Sequence, residues 1–428
     1  MCLAIILFAC RRLSYRGNQI LCGKFKLKRY RTTITTWIVF DIGNNLFYTG
    51  IVGLLFPLWI TRRMGGSDAT LGNVIAIAMM VAFFASPILG AVSDRFNIKM
   101  PLLILFSLLA TLGLFFLGVG GYYQALLLFV MSLSSVHIAN IFYNGLLADI
   151  SEEANVGRIG GVGIGIGYLG SIIAIVLSLS LTTVLGYTTL FQLTAVIISI
   201  LYFPLFIWGH GLSSSLANIS VLAMLADVFQ TMWASFFESI RVLNWRRFLF
   251  ARFWYLWAIN GASSFAVLYG VETIQLSDYL IHLILITGIT FAIPSGIFWG
   301  WLVDRMDSLF VLKTSVFVFF CVLLIGALIP VFELPKVTWW LVGLTTGIAM
   351  AGIYVSERPL LLRLAPKEKV GEYFGVYNMA GRLAAILAPF GWGFISVTLS
   401  LGQVVAVSYL SACGLISFLM LLRVRITK

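Results

Sequence analysis

The chain has 428 residues, of which 61% are hydrophobic and only 10% charged, with a mean hydropathy of +1.02 and a formal net charge of +12. A soluble domain so composed would lack the polar surface to cover itself, so the sequence is expected in a lipid bilayer. Its bases are spread over many turns instead of forming one patch, which argues against nucleic-acid binding. Its five cysteines, Cys2, Cys10, Cys22, Cys321 and Cys413, are odd in number, and three lie in one basic tail; no disulfide framework, metal site or cofactor is implied.

In chain order, residues 1–32 come first. The apolar MCLAIILFAC precedes Arg11 and Arg12 instead of following them and lacks a small-residue cleavage site, so it reads as a cytoplasmic tail or an upstream start, not a secretory signal. Apolar runs of about 20 residues, enough to cross a bilayer, then recur near 33–60, 70–92, 100–119, 122–147, 158–184 and 188–209. A second set lies near 247–272, 279–303, 310–331, 337–362, 371–398 and 400–424. The expectation is an all-α membrane protein of twelve transmembrane helices in two six-helix pseudo-repeats, 33–209 and 247–428.

Between the repeats, residues 210–246 are too polar to span. Apolar Leu222, Leu225, Phe229, Met232, Phe236 and Leu243 oppose Asp227, Thr231, Glu238 and Arg241, the pattern of an amphipathic helix lying on the cytoplasmic interface. Lys and Arg are held back on the cytoplasmic side during insertion. They crowd the tail and the even-numbered turns (Arg95, Lys99, Arg158, Arg305, Lys313, Lys367 and Lys369), whereas the odd-numbered turns hold Arg62, Arg63 and Lys336. Both termini are therefore expected in the cytoplasm, in a plasma or inner membrane.

A short loop occurs twice: Gly90, Asp94 and Arg95 recur as Gly300, Asp304 and Arg305, 210 residues later. Ser67-Asp68 and Ser277-Asp278 keep the same offset, and Gly157, Gly161 and Gly167 match Gly371, Gly375 and Gly381 at 214. Parallel repeats of this kind build transporters that hold a small-molecule substrate near the midplane between two bundles. An Asp at the start of a helix would accept from its free N–H groups while the adjacent Arg reaches across the bundle. On that reading the two loops are gating latches; the plainer reading makes them topology-setting turns. The glycine run from Gly157 to Gly170 has no following Lys-Ser or Lys-Thr and no preceding strand, so close helix packing explains it better than phosphate binding. Pro389 with Gly391 and Gly393 predicts a kink in the eleventh span.

From about residue 33 onward the sequence resembles the major facilitator superfamily, whose loop between the second and third spans has the same Gly-x-x-x-Asp-Arg core. Three stretches resemble its branch of vacuolar amino-acid effluxers connected with autophagy and their bacterial relatives: TTWIVFDIGNNLFYTG, YNGLLADISEEANVGRIGGVGIGIGYLG and PKEKVGEYFGVYNMAGR. That branch usually has an aromatic-Asp-aromatic-Ala-Asn-Ser-Ala pattern where this chain reads Phe40-Asp41-Ile42-Gly43-Asn44-Asn45-Leu46, so the pocket and substrate can differ. Drug/proton antiporters have a Gly-Pro motif in the fifth span; here Gly163, Gly167, Tyr168 and Gly170 carry no proline, which disfavours multidrug efflux.

The resemblance implies a cavity lined by spans 1, 4, 7 and 10. Ionisable and polar residues inside spans are costly and mark function. Asp41, Asn44, Asn45 and Tyr48 share one face of span 1 at i, i+3, i+4 and i+7, and His137, Asn140 and Asn144 share one of span 4. The second half adds Asn260, Tyr354, Glu357, Arg358 and Arg382. Together they suit a zwitterion such as an amino acid, with Arg358 or Arg382 facing its carboxylate and Asp41 or Glu357 its ammonium. Alternatively the charges pair with each other and the amides hold helices together. Asp41, Glu357 and His137 are the proton-coupling candidates by type, and uncoupled diffusion stays open.

The expected activity is secondary active transport of a small polar solute, as an exporter working by rocker-switch alternating access and as a monomer. A drug or sugar transporter of the same fold and a non-transporting receptor or scaffold are the alternatives. An intramembrane enzyme built on His137 with Asp41 or Ser134 and Ser135 is disfavoured, since no nucleophile or metal motif is present.

Overall fold

The computed structural model describes residues 22–96, 98–150, 156–208, 237–366 and 370–425. Among them the regular structure is helical. α1 runs Cys22–Leu46, widens to a π-helical stretch at Phe47–Leu55 and closes as α-helix at Phe56–Arg62. α2 is Asp68–Phe96, α3 Lys99–Phe116 and α4 Tyr122–Ile150. The next 53 residues, Val156–Trp208, hold α5 and α6 as one helical run broken at Gly186 (φ 72, ψ 168). That backbone lies in the left-handed region open to glycine, so the turn between the two spans rests on one residue.

The second set comprises α7 (Leu243–Leu268, with a π turn to Thr273), α8 (Asp278–Arg305), α9 (Ser308–Val331), α10 (Thr338–Leu364), α11 (Val370–Gly393, with a π turn to Thr398) and α12 (Gly402–Leu422). Among the described helices, eleven are long and apolar enough to cross a membrane. α7 falls below that mark because Arg246, Arg247, Arg252 and Asn260 dilute it, yet it packs against α11 and α12. The amphipathic segment expected at 210–246 lies mostly outside the described residues, while its last apolar position, Leu243, opens α7.

Exposed side chains are apolar along the spans, as Leu127 (69%), Ile200 (65%) and Ile297 (74%) illustrate, and such a surface needs lipid around it. A groove of about 470 Å³ between α3 and α6, lined by residues such as Leu112, Phe115 and Phe203, belongs to this surface.

The helices pack into two compact units that cut across the sequence repeat. One holds the described residues of Met1–Thr49, Leu89–Ala174 and Thr188–Asn218; the other holds those of Gly50–Ile88, Ile175–Tyr187 and Ile219–Lys428. In the first, α3 packs on α4 and α1 on α4; in the second, α8 and α9 pack on α10, and α7 on α11 and α12.

Candidate functional site

In the first unit, helix periodicity brings the α1 face together as expected, and α4 and α6 complete it. Tyr202 (α6) donates to Asn44 Oδ1 at 2.9 Å, Asn44 Nδ2 donates to Asn140 Oδ1 at 2.7 Å, and Asn140 Nδ2 donates to Tyr48 Oη at 2.9 Å. Tyr48 Oη lies 3.3 Å from His137 Nδ1. Five side chains on three helices thus form one hydrogen-bonded chain, with His137 at its end. Aromatic residues clamp the same region: Trp37 stacks on Tyr143 at 4.6 Å and donates to its carbonyl at 3.0 Å, while Phe40 stacks on Tyr202 at 3.9 Å.

Asp41 sits at the edge of this chain. Asn45 Nδ2 donates to its backbone carbonyl at 2.9 Å and to its carboxylate at 3.3 Å. Among the described residues it has no ion-pair partner. Gly167 of α5 faces the carboxylate so closely that an added Cβ would collide with it, and a Cβ at Gly163 would lie 2.6 Å from the Trp37 ring. The α5 glycines therefore bring α5 against α1 at the acid. The π-helical stretch begins at Phe47, immediately beyond it; such irregularities re-aim side chains and are frequent at functional sites. Asn144, the third α4 candidate, is exposed and outside the chain.

The second unit gives Glu357 a partner within its own bundle. This residue is buried, and its Oε2 lies 3.3 Å from Arg252 Nε and accepts from Tyr255 at 2.8 Å. Arg252 also donates to the Tyr377 carbonyl at 2.8 Å and lies over the Tyr377 ring at 3.4 Å. The carboxylate is thus held by partners within its own bundle. Its partner Arg252 was not among the sequence candidates, which paired Asp41, Glu357, Arg358 and Arg382 with one another; an arginine inside the run ARFWYLWAIN was itself a signal, since a charge within a span needs a partner. Arg358, one position on, is exposed; it does not share a face with Glu357. Tyr354 is exposed, Arg382 is half-buried, and Asn260 donates to the Leu256 carbonyl of its own helix at 2.7 Å.

The duplicated loops also differ from expectation. α2 continues to Phe96 and α8 to Arg305, so Gly90, Asp94 and Arg95, like Gly300, Asp304 and Arg305, lie in the last turns of helices and not at the start of one. Asp304 is therefore at the wrong end to cap the N-terminus of α8, and the adjacent Arg305 is the residue type suited to a C-terminus. Asp304 and Arg305 are exposed, with the Arg305 guanidinium 4.5 Å above the Trp301 ring. The ion pair at this turn joins Asp307 to Arg363, in the last turn of α10. Helix starts fall instead at the other repeated landmark: Ser67 Oγ accepts from Thr70 N–H and Ser277 Oγ from Leu280 N–H, each at 3.3 Å.

Comparison with known proteins agrees with this architecture. Residues 42–389 match the Major Facilitator Superfamily, and the chain belongs to that family of membrane transporters, which are not enzymes. It is 23% identical over 401 residues to an uncharacterized MFS-type transporter, YxiO, of Bacillus subtilis (strain 168), covering 88% of this chain and 90% of that one. It is 27% identical over 363 residues to an uncharacterized protein of Aquifex aeolicus (strain VF5), covering 83% and 87%. A POT family transporter crystallised with 5-aminolevulinic acid superposes with a TM-score of 0.74 at 13% identity, over 92% of this chain and 96% of that one; at this identity the likeness shows the fold.

Proposed function

We propose that this transporter exports a small polar solute of the amino-acid type by rocker-switch alternating access, with Asp41 receiving the positive charge of the solute or a coupling proton. One observation carries the reading: Asp41 is an ionisable group inside a span, bonded by an amide and lacking a cation among the described residues. Such a group is costly to insert and is a functional site by default. Arg382 and the exposed Arg358 are the candidates for a solute carboxylate. The effluxer-like stretches in α1, α4–α5 and α11 support the amino-acid class, and the Lys/Arg distribution supports cytoplasmic termini in a plasma or inner membrane.

The test is counterflow of labelled amino acids in proteoliposomes. Asp41→Asn should cut exchange at least tenfold while the protein stays folded. Exchange and ligand-induced thermal stabilisation that both survive Asp41→Asn unchanged would overturn the assignment, and binding without any exchange would favour a receptor.

A further inference from the structure

Asp68, the first residue of α2, has a carboxylate that is 6% exposed. Its Oδ2 accepts from Trp392 Nε1 of α11 and from Gln403 Nε2 of α12, both at 2.9 Å. The same Gln403 nitrogen reaches Glu272 Oε2 at 2.9 Å, and Gln403 Oε1 accepts from Thr273 at 2.6 Å. Backbones meet here as well. A Cβ at Gly72 would strike the Pro389 carbonyl, and one at Gly393 would lie 2.7 Å from the Ala69 Cα, so glycines let α2 lie directly on the end of α11.

The repeat-related Asp278, first residue of α8, is placed differently. It pairs with Arg62 of α1 at 3.1 Å, with side-chain exposures of 57% and 35%. One turn further on, the buried His282 has Nε2 2.9 Å from Ser178 Oγ of α5. All these contacts lie within one compact unit and join helices of the first repeat to helices of the second, at the end bearing the odd-numbered turns.

We propose that Asp68 is the principal latch of that end: its carboxylate must leave Trp392 and Gln403 each time the solute path opens there. Movement that parts α2 from α11 and α12 breaks both bonds together, because both donors belong to the other repeat. Bonds to a charged acceptor are roughly twice as strong as neutral ones, and burial spares them the solvent screening that weakens Arg62–Asp278. On opening, water takes the place of the two donors around the carboxylate, so the latch is reversible. Asp68 and Asp278 thus come from one duplicated Ser-Asp pair, yet closure depends mainly on the first. The inference uses the transporter family and these contacts and is independent of the solute assigned to Asp41.

Spin labels on Arg63→Cys and Leu399→Cys, with the five native cysteines replaced by serine, would read the separation across this end in lipid nanodiscs by double electron–electron resonance. The parent should show mainly the shorter distance. Asp68→Ala should raise the longer-distance fraction at least fivefold, Gln403→Ala should raise it less, and Arg62→Ala should change it less than twofold. An unchanged distribution in folded Asp68→Ala, or an equal shift with Arg62→Ala, overturns the proposal. Should Asp68→Ala fail to fold, Trp392→Phe decides: it keeps the ring stacked on Phe265 and removes one donor, and an unchanged distribution there overturns the proposal too.

Discussion

Asp41 on α1 and Arg252 on α7 stand 211 residues apart at related positions of the two repeats, and each faces a glycine of the next-to-last helix of its repeat. Gly167 of α5 meets the Asp41 carboxylate; Gly381 of α11 meets the Arg252 guanidinium, where a Cβ would lie 2.6 Å from Nη1. The backbone device is the same, and the chemistry is opposite. In the second repeat the charge is answered inside the bundle by Glu357, Tyr255 and Tyr377. In the first it is met by an amide, and the neighbouring polar groups are engaged with one another. The two repeats thus share a helix-packing scheme, while one charge is paired and the other, among the described residues, has no ion-pair partner.

The comparison predicts that the two charges respond differently to removal. Arg252→Ala leaves the Glu357 carboxylate buried without its cation, a situation that costs about 3–5 kcal/mol, so a large fall in thermal stability in detergent is expected. The double variant Arg252→Met with Glu357→Leu should recover most of it, because two apolar groups of similar volume need no partner. Failure of the double variant to recover would show that the pair supplies more than mutual compensation.

Asn44→Ala probes the neutral side. It leaves the Tyr202 hydroxyl buried without its acceptor and frees Asn140, for an expected loss of about 1–3 kcal/mol. Asn44→Asp keeps an acceptor for Tyr202 but buries a second carboxylate beside Asp41, so its deficit in the same thermal assay should be at least as large.

These contrasts bear on what the residues alone could reveal. The spans were legible because bilayer thickness fixes their length, and the α1 face because four polar side chains recur at helical spacing. The partners were less so. Tyr202 lies in an otherwise apolar run, where a tyrosine reads as an interface aromatic, and its bond to Asn44 depends on how α6 meets α1. Glu357 was found but its partner was not, since Arg252 is 105 residues away in sequence. The Asp-Arg loops were read as helix starts because polar residues end the apolar run there; a hydropathy boundary is not a helix boundary, and α2 and α8 continue through the polar residues.

A smaller effect is expected from Asp41→Asn on stability. Among the described residues the carboxylate has no cation to abandon, and an amide of the same shape can accept from Asn45, so a change below about 1 kcal/mol is expected. Thermal unfolding of this variant beside Arg252→Ala gives the most direct test of the comparison. A loss as large as that of Arg252→Ala would mean that Asp41 is structural too.

The smallest effect belongs to the charge pair at the even-turn end. Asp307 and Arg363 are joined by an ion pair with side-chain exposures of 31% and 50%, against 7% for both partners of Arg252–Glu357. Solvent screens an exposed pair and side-chain entropy opposes it, so Arg363→Ala should cost about 0–1 kcal/mol, and the difference should vanish in molar salt. The buried pair should keep its full effect under the same salt. Burial, and not the presence of opposite charges, would then be what separates the paired acid Glu357 from the acids of the turns, and Asp41, without a basic partner among the described residues, would stand apart from both.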